Sequence, residues 1–314
     1  MHCRHGAIKR ECMNKYEFGE TIKERVAKVL GEEVQVSLQE VRKNNNVMKL
    51  GLMVNDKKKG IAPTLYLEDL FEDYEDGRDE DEILDVILEN LKKGMPKEKI
   101  DMSFFERYEV VRDKICYRLI NYEKNEEFLK AVPYIPFLDL AICFFYPFWH
   151  EKIGSGSILI RNDHVEKWGI TTKELWKMAN ENTRKLFPEA CCPMDAMLME
   201  MAGAAPKPWG ALPKDGWGSF PIKILTNRQR AFGAAVILYD DYLESVSKSL
   251  RGSFFIIPSS IHEVLILPYD GDEDEESLEW IIRDVNKNHV DPEDVLSDRL
   301  YYYDGKEKKM KLIP

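Results

Sequence analysis

The sequence lacks a long uninterrupted apolar run, an excess of positive charge and a recognisable catalytic motif. Its 314 residues include 45 Lys and Arg against 56 Asp and Glu, a formal net charge of −11. This acidity argues against nucleic acids and anionic membranes as partners, because it repels polyanions. The longest apolar stretch, residues 131–149, is interrupted by three prolines and Asp139, so we expect a buried strand and no membrane association. The 44% hydrophobic content excludes a wholly disordered chain.

Cysteine is scarce, and its spacing fits neither a zinc site nor a disulfide scaffold. The chain has six cysteines; Cys116 and Cys143 lie in apolar runs and are predicted to be small buried side chains. The adjacent residues Cys191 and Cys192 cannot form an unstrained disulfide with each other. The absence of a disulfide pattern predicts that the protein resides in the reducing cytoplasm.

Residues 1–12 differ in character from the rest of the chain. They contain four residue types that bind metals, but the spacing matches no standard zinc finger. These four are His2, Cys3, His5 and Cys12. We interpret residues 1–12 as a non-native or frayed extension and expect no metal.

Loops that bind phosphate or calcium are also missing. The Gly-Ser-Gly segment at residues 154–156 has no following lysine and no strand-to-helix context. The acidic run at residues 270–276 lacks the glycine that a calcium loop has at its sixth position, and it is better interpreted as a helix N-terminus. We therefore expect no cofactor.

The patterns that are present predict an α+β fold in two halves, with predominantly antiparallel sheets and packed helices. Apolar residues at helical spacing lead to Gly31, and alternating segments then predict a three-stranded meander. Thr171 and Glu174 form a predicted capping box, and strands are expected at 137–146 and 261–267. We place one domain at 13–150 and the other at 151–314, with a Pro/Gly/Trp-rich loop at 204–221.

One polar segment, residues 258–263, is a candidate ligand-binding site. Its residues Ser259, Ser260, His262 and Glu263 could supply a nucleophile, a base and an orienting acid. On a strand, however, Ser260 and His262 would share one face about 7 Å apart, and Glu263 would point to the other. This geometry favours a structural polar turn over a hydrolytic site.

Two further groups of polar residues follow predicted strands, where side chains can converge on a ligand. The first comprises Arg161, Asn162 and His164, and the second comprises Arg228 and Arg230. The competing interpretation of the first group is helix capping by Asn162 or Asp163 with a solvated His164, and that of the second is solvation of both arginines.

Five segments resemble an uncharacterised bacterial family, domain of unknown function 5688, which is found in gut clostridia and their relatives. They are PTLYLEDLFEDYEDG (63–77), LINYEKNEEFL (119–129), ILIRNDHVEKWGIT (158–171), PSSIHEVLILP (258–268) and LSDRLYYYD (296–304). The resemblance covers about residues 13–305, and the C-terminal half is also distantly similar to another uncharacterised bacillus-type family. It implies a bacterial, cytoplasmic protein and transfers no catalytic residue.

From the sequence we predict a cytoplasmic binding, regulatory or adaptor module without catalysis, with a protein as partner. The first alternative is a hydrolase-like enzyme whose polar groups near Arg161, Arg228 and His262 converge. The second alternative is a nucleic-acid-associated protein with a local basic face. It gains weight because residues 68–89 hold twelve acids against one base, so the acidity is local.

Overall fold

The computed structural model describes residues 13–56, 63–94, 102–150, 154–203, 209–210, 222–258, 260–271 and 274–313. These residues form two compact units. The first lies within residues 1–43, 48–101 and 149–154, and the second within residues 44–47, 102–148 and 155–314. The predicted extension 1–12, with its histidines and cysteines, lies outside the described residues, as does most of the predicted loop 204–221. The domain boundary near residue 150 stays a prediction.

The first unit is a meander covered by helices. Its elements are α1 (Lys15–Leu30), β1 (Val34–Arg42), β2 (Met48–Asp56), β3 (Thr64–Tyr66), α2 (Glu68–Glu75) and α3 (Glu80–Gly94). The antiparallel sheet has the order β1-β2-β3, which confirms the predicted meander. The α1 helix begins where the Asn14 side chain accepts hydrogen bonds from two backbone N–H groups, and Gly31 ends it with a positive φ of 80°. Phe18, Ile22 and Leu52 are fully buried in its core.

The second unit contains a six-stranded sheet and a four-stranded sheet. Its elements are α4 (Tyr108–Val111), β4 (Cys116–Asn121), α5 (Glu126–Leu129), β5 (Tyr134–Phe137), β6 (Leu140–His150), β7 (Gly154–Leu159), α6 (Asn162–Trp168), α7 (Thr172–Leu186), β8 (Glu189–Pro193), α8 (Met194–Met201), β9 (Lys223–Asn227), α9 (Asp240–Leu250), β10 (Phe254–Ile257), β11 (Val264–Pro268), α10 (Glu275–His289), β12 (Tyr301–Asp304) and β13 (Lys309–Leu312). The larger sheet has the order β13-β12-β10-β11-β9-β8, and in the smaller one β6 pairs with β4, β5 and β7. The α+β class with mostly antiparallel sheets is confirmed. No helix in the described ranges is long and apolar enough to cross a membrane.

Side-chain caps from Thr171 and Asp274 begin two of the helices in this unit, α7 and α10. The Thr171 and Glu174 capping box is present, as predicted, at the start of α7. The strand predicted from residue 261 begins only at Val264, because the Ser260 hydroxyl accepts a hydrogen bond from the His262 N–H and turns the chain. The four cysteines at 116, 143, 191 and 192 are buried free thiols, and burial raises the pKa of Cys143 to about 12.

The single strand predicted over residues 137–146 is a hairpin instead. Leu138 and Asp139 form a two-residue turn between β5 and β6, and Leu138 has a positive φ of 54°. The sequence pattern did not predict this turn, because tight hairpin turns usually contain glycine or asparagine and this one lies in a run of apolar residues. The Asp139 carboxylate accepts hydrogen bonds from the hydroxyls of Ser297 and Tyr301, each 2.5 Å long.

Replacing Leu138 with glycine is expected to raise the free energy of unfolding by about 0.5 kcal/mol. The left-handed conformation costs a non-glycine residue about 1–2 kcal/mol, and glycine relieves this cost. The greater chain entropy of unfolded glycine offsets part of the resulting stabilisation. Urea unfolding followed by circular dichroism measures the change. Leu138→Ala is the control, since alanine removes the exposed apolar side chain without relieving the backbone. An equal increase in the free energy of unfolding of Leu138→Ala would contradict this explanation.

Candidate functional site

The best candidate for a functional site in the second unit is built around Arg118. This arginine lies on β4 between Tyr117 and Leu119, both buried. The Arg118 side chain is itself half-buried, and its Nε is shielded from solvent without a hydrogen-bond partner. Within the described part of the chain, no carboxylate forms an ion pair with it. Burial lowers the pKa of Arg118, but a guanidinium stays protonated in proteins.

The Phe232 side chain covers this cation. The guanidinium carbon of Arg118 lies 4.9 Å from the centroid of the Phe232 ring, a cation–π contact. The same ring stacks nearly parallel to the imidazole of His262, with centroids 5.9 Å apart and an interplanar angle of 16°. Phe232 therefore connects the unpaired cation to a titratable ring.

The loop that presents Phe232 is held in an unusual conformation. Phe232 has a φ of 53°, which is strained for an aromatic residue. The Asn227 side chain fixes the loop by donating to the Ala231 carbonyl at 2.8 Å and accepting from the Ala231 N–H at 3.3 Å. The following Gly233 packs so tightly that a Cβ there would lie 1.9 Å from the Thr226 hydroxyl oxygen. The position of Phe232 is therefore set by its surroundings.

Both ring nitrogens of His262 are engaged. Its Nδ1 accepts a hydrogen bond from the Phe232 N–H at 3.3 Å, so the proton of the neutral ring sits on Nε2. This Nε2 lies 3.5 Å from Oδ1 of Asp294. The hydrogen bond to Asp294 raises the pKa of His262, and burial opposes it. The imidazole thus joins the Phe232 loop to the segment that carries Asp294.

Two further residues of the predicted polar segment, Ser260 and Glu263, lie beside His262. The Ser260 hydroxyl accepts from the His262 N–H at 3.0 Å, and Ser260 forms an isolated β-bridge with Val295. Burial raises the pKa of Glu263, and a hydrogen bond from Ser260 opposes this shift. Ser259 lies outside the described residues. The structure thus brings together Ser260, His262 and Glu263 from the sequence-based candidates.

The candidates around residue 161 make separate contacts. The Asn162 side chain donates to the Lys130 carbonyl at 2.9 Å. The His164 Nδ1 accepts from the Arg161 N–H at 3.1 Å, and the His164 ring packs on Trp168 with centroids 5.7 Å apart. Burial lowers the pKa of His164. None of these contacts, among the described residues, reaches the Arg118 cluster.

The two loop arginines have contacts of their own. Arg228 is exposed, and its backbone N–H donates to the Pro188 carbonyl at 2.9 Å. The Arg230 guanidinium pairs with Glu200 at 3.0 Å and lies 4.0 Å from the centroid of the Trp209 ring. Arg230 therefore has the partners that Arg118 lacks.

Sequence reasoning missed the central residues of this cluster. Arg118 had a visible signal, since it is the single charge in an otherwise apolar run from residue 115 to 120. Asp294 had none, because no local pattern connects it to His262, which is 32 positions earlier in the chain. Phe232 resembled an ordinary core aromatic residue.

Chemically, this arrangement can bind an anion. A half-buried guanidinium without a counter-charge offers N–H donors to a carboxylate or another oxyanion. The described ranges hold no group of three or more His, Cys, Asp or Glu side chains placed to bind a metal ion. The charge and the N–H donors of the guanidinium fit an oxyanion.

Comparison with known proteins identifies a family. Residues 15–305 match the model of the family of unknown function DUF5688, so the chain belongs to that family. Neither the curated proteins nor the solved structures contain a match to the chain.

Proposed function

We propose that this member of the DUF5688 family is a non-catalytic binding module that recognises an oxyanion through Arg118. The oxyanion is either a carboxylate or a sulfate-like group. The observation that carries the proposal is the unpaired guanidinium on β4. Withdrawing a charge from water without a partner is unfavourable, so a bound anion would supply a missing counter-charge to this half-buried guanidinium. The cation–π contact with Phe232 offsets only part of that cost.

The engagement of His262 supports binding over catalysis. A general base needs a ring nitrogen within reach of the substrate proton. In His262 the backbone N–H of Phe232 occupies Nδ1, and Asp294 faces Nε2. The nearby Ser260 hydroxyl contacts the backbone N–H of His262 instead of its ring. This arrangement does not favour the hydrolase-like alternative.

Replacing Arg118 with methionine is expected to abolish anion binding and to stabilise the protein. The thioether side chain keeps an unbranched stem and removes the buried charge, so the free energy of unfolding should rise by about 1 kcal/mol. Sulfate and acetate should raise the melting temperature of the wild type above that in chloride of equal ionic strength. Differential scanning fluorimetry measures both effects, and the anion-dependent shift should vanish in Arg118→Met.

Arg107→Met serves as the matched control, since Arg107 is an exposed arginine of the same unit. It should retain the full response to sulfate. Retention of the sulfate response by Arg118→Met would overturn the proposal. A loss of more than about 1 kcal/mol of stability in Arg118→Met would do the same, because it would assign the guanidinium a structural role. The comparison of sulfate with acetate tells a tetrahedral anion from a carboxylate.

We further propose a bacterial cytoplasmic location, with the acidic group presented by a protein partner or a small molecule. The free, buried thiols fit a reducing compartment. Fractionation of a native host followed by immunoblotting tests the location.

A further inference from the structure

We propose that Phe232 is a lid over Arg118, which neutral His262 holds closed and protonated His262 releases. This inference rests on the proposed anion site and adds its regulation by pH. The Phe232 ring lies against the Arg118 guanidinium, so movement of this ring exposes the donors that an anion needs. The hydrogen bond that restrains the lid is the one from the Phe232 N–H to His262 Nδ1.

The chemistry of the imidazole makes that hydrogen bond conditional. Neutral His262 accepts at Nδ1 and donates from Nε2 to Asp294. Protonation places a hydrogen on Nδ1, where it faces the N–H of Phe232, and two donors cannot hydrogen-bond to each other. The protonated ring keeps its contact with Asp294 and loses the hydrogen bond from the Phe232 N–H.

The backbone of Phe232 makes this loss consequential. A φ of 53° is an unfavourable conformation for a phenylalanine, and it persists only while the surroundings hold it. Removing the hydrogen bond from its N–H takes away one of those restraints. The preceding restraint, between Asn227 and Ala231, confines the movement to the residues around Phe232.

Electrostatics act in the same direction. The charged groups around His262 are Asp294, Glu263 and Arg118. With a neutral ring, the two carboxylates outnumber the one guanidinium. Protonation of His262 adds a positive charge beside Arg118, which favours an incoming anion. Both effects predict tighter anion binding in acid.

Sulfate affinity at about pH 5.5 and about pH 8 tests the proposal, since histidine changes its charge between these values. Sulfate stays a dianion over this range, so the probe itself does not titrate. Isothermal titration calorimetry on the full chain should show at least about tenfold tighter binding at the lower pH, a difference of one 1.4 kcal/mol step. Asp294→Asn should shift the transition to lower pH, because the carboxylate raises the pKa of His262.

The key variant is His262→Asn. Its side-chain oxygen can still accept from the Phe232 N–H and cannot be protonated in this range, so the lid should stay closed and binding should stay weak at both pH values. His289→Asn, at the exposed end of α10, is the matched control and should leave the pH dependence unchanged. In wild-type NMR spectra, the Phe232 amide resonance should titrate with His262, and in His262→Asn it should not.

The possible outcomes distinguish failure of the lid proposal from failure of the proposed anion site. Binding that depends on Arg118 but is equally tight at both pH values would overturn the lid and leave the proposed function standing. Binding that is absent at both pH values would overturn both proposals. A pH dependence that survives in His262→Asn would also overturn the lid, because another group would then be responsible.

Discussion

Replacing Gly233 with alanine is expected to lower the free energy of unfolding by about 3 kcal/mol or more. The added Cβ would lie 1.9 Å from the Thr226 Oγ1, 2.3 Å from the His262 carbonyl oxygen and 2.9 Å from the Asn227 backbone nitrogen. Two of these three atoms belong to the backbone and cannot rotate away. The Thr226 hydroxyl also donates to the same His262 carbonyl at 2.7 Å, so the clash would break that hydrogen bond.

Urea unfolding followed by near-ultraviolet circular dichroism measures this loss. Gly252→Ala is the matched control, since a Cβ at Gly252 meets nothing within 4 Å and its effect should stay within about 0.5 kcal/mol. Adding Thr226→Ala to Gly233→Ala removes the nearest atom but leaves the carbonyl contact, so it should restore only part of the stability. A fully stable Gly233→Ala protein would show that the loop can move away from His262.

Replacing Asp139 with alanine is expected to cost about 3 kcal/mol of stability. Its carboxylate accepts from two hydroxyls, those of Ser297 and Tyr301, and both residues are fully buried. Hydrogen bonds to a charged acceptor contribute about 1.5–3 kcal/mol each, and the substitution leaves both donors without an acceptor. Burial and the neighbouring carboxylate raise the pKa of Tyr301, so its hydroxyl remains a donor.

The matched control for this prediction is Glu166→Ala, which removes an exposed carboxylate from the same unit. It should change the free energy of unfolding by less than about 0.5 kcal/mol. Chemical denaturation of Asp139→Ala, Ser297→Ala and the double variant forms a mutant cycle. Additive losses in this cycle would contradict a direct Asp139–Ser297 hydrogen bond.

The elements that local sequence could predict are those with strong short-range signals. The α1 helix has apolar residues at helical spacing, an asparagine cap and a terminal glycine, and it lies where the pattern predicts. The turn at Leu138 could not be predicted, because an apolar residue holds the left-handed position there. Asp291 and Pro292 are residue types that often begin a helix, yet they open a turn here, and the Asp294 carbonyl in this turn accepts from the Ile261 N–H.

The candidate site was predictable only in part, for a similar reason. The segment from Ser260 to Glu263 is rich in polar groups and stood out in the sequence. Its partners Arg118, Phe232 and Asp294 come from three distant segments, and tertiary packing alone brings them together. The pairing of Arg230 with Glu200 was equally invisible, so the sequence could not tell a satisfied arginine from an unsatisfied one.

The two hydrogen bonds of Asp139 can form only late in the synthesis of the polypeptide. Its donors lie 158 and 162 positions later in the chain. A ribosome that adds about 5–20 residues per second takes roughly 10–30 s to synthesise that interval. During this time the β5–β6 hairpin can form from neighbouring residues, but its carboxylate has no hydroxyl partner. Slowing translation between residues 139 and 301 should therefore prolong the lifetime of a nascent chain whose second unit is still incomplete.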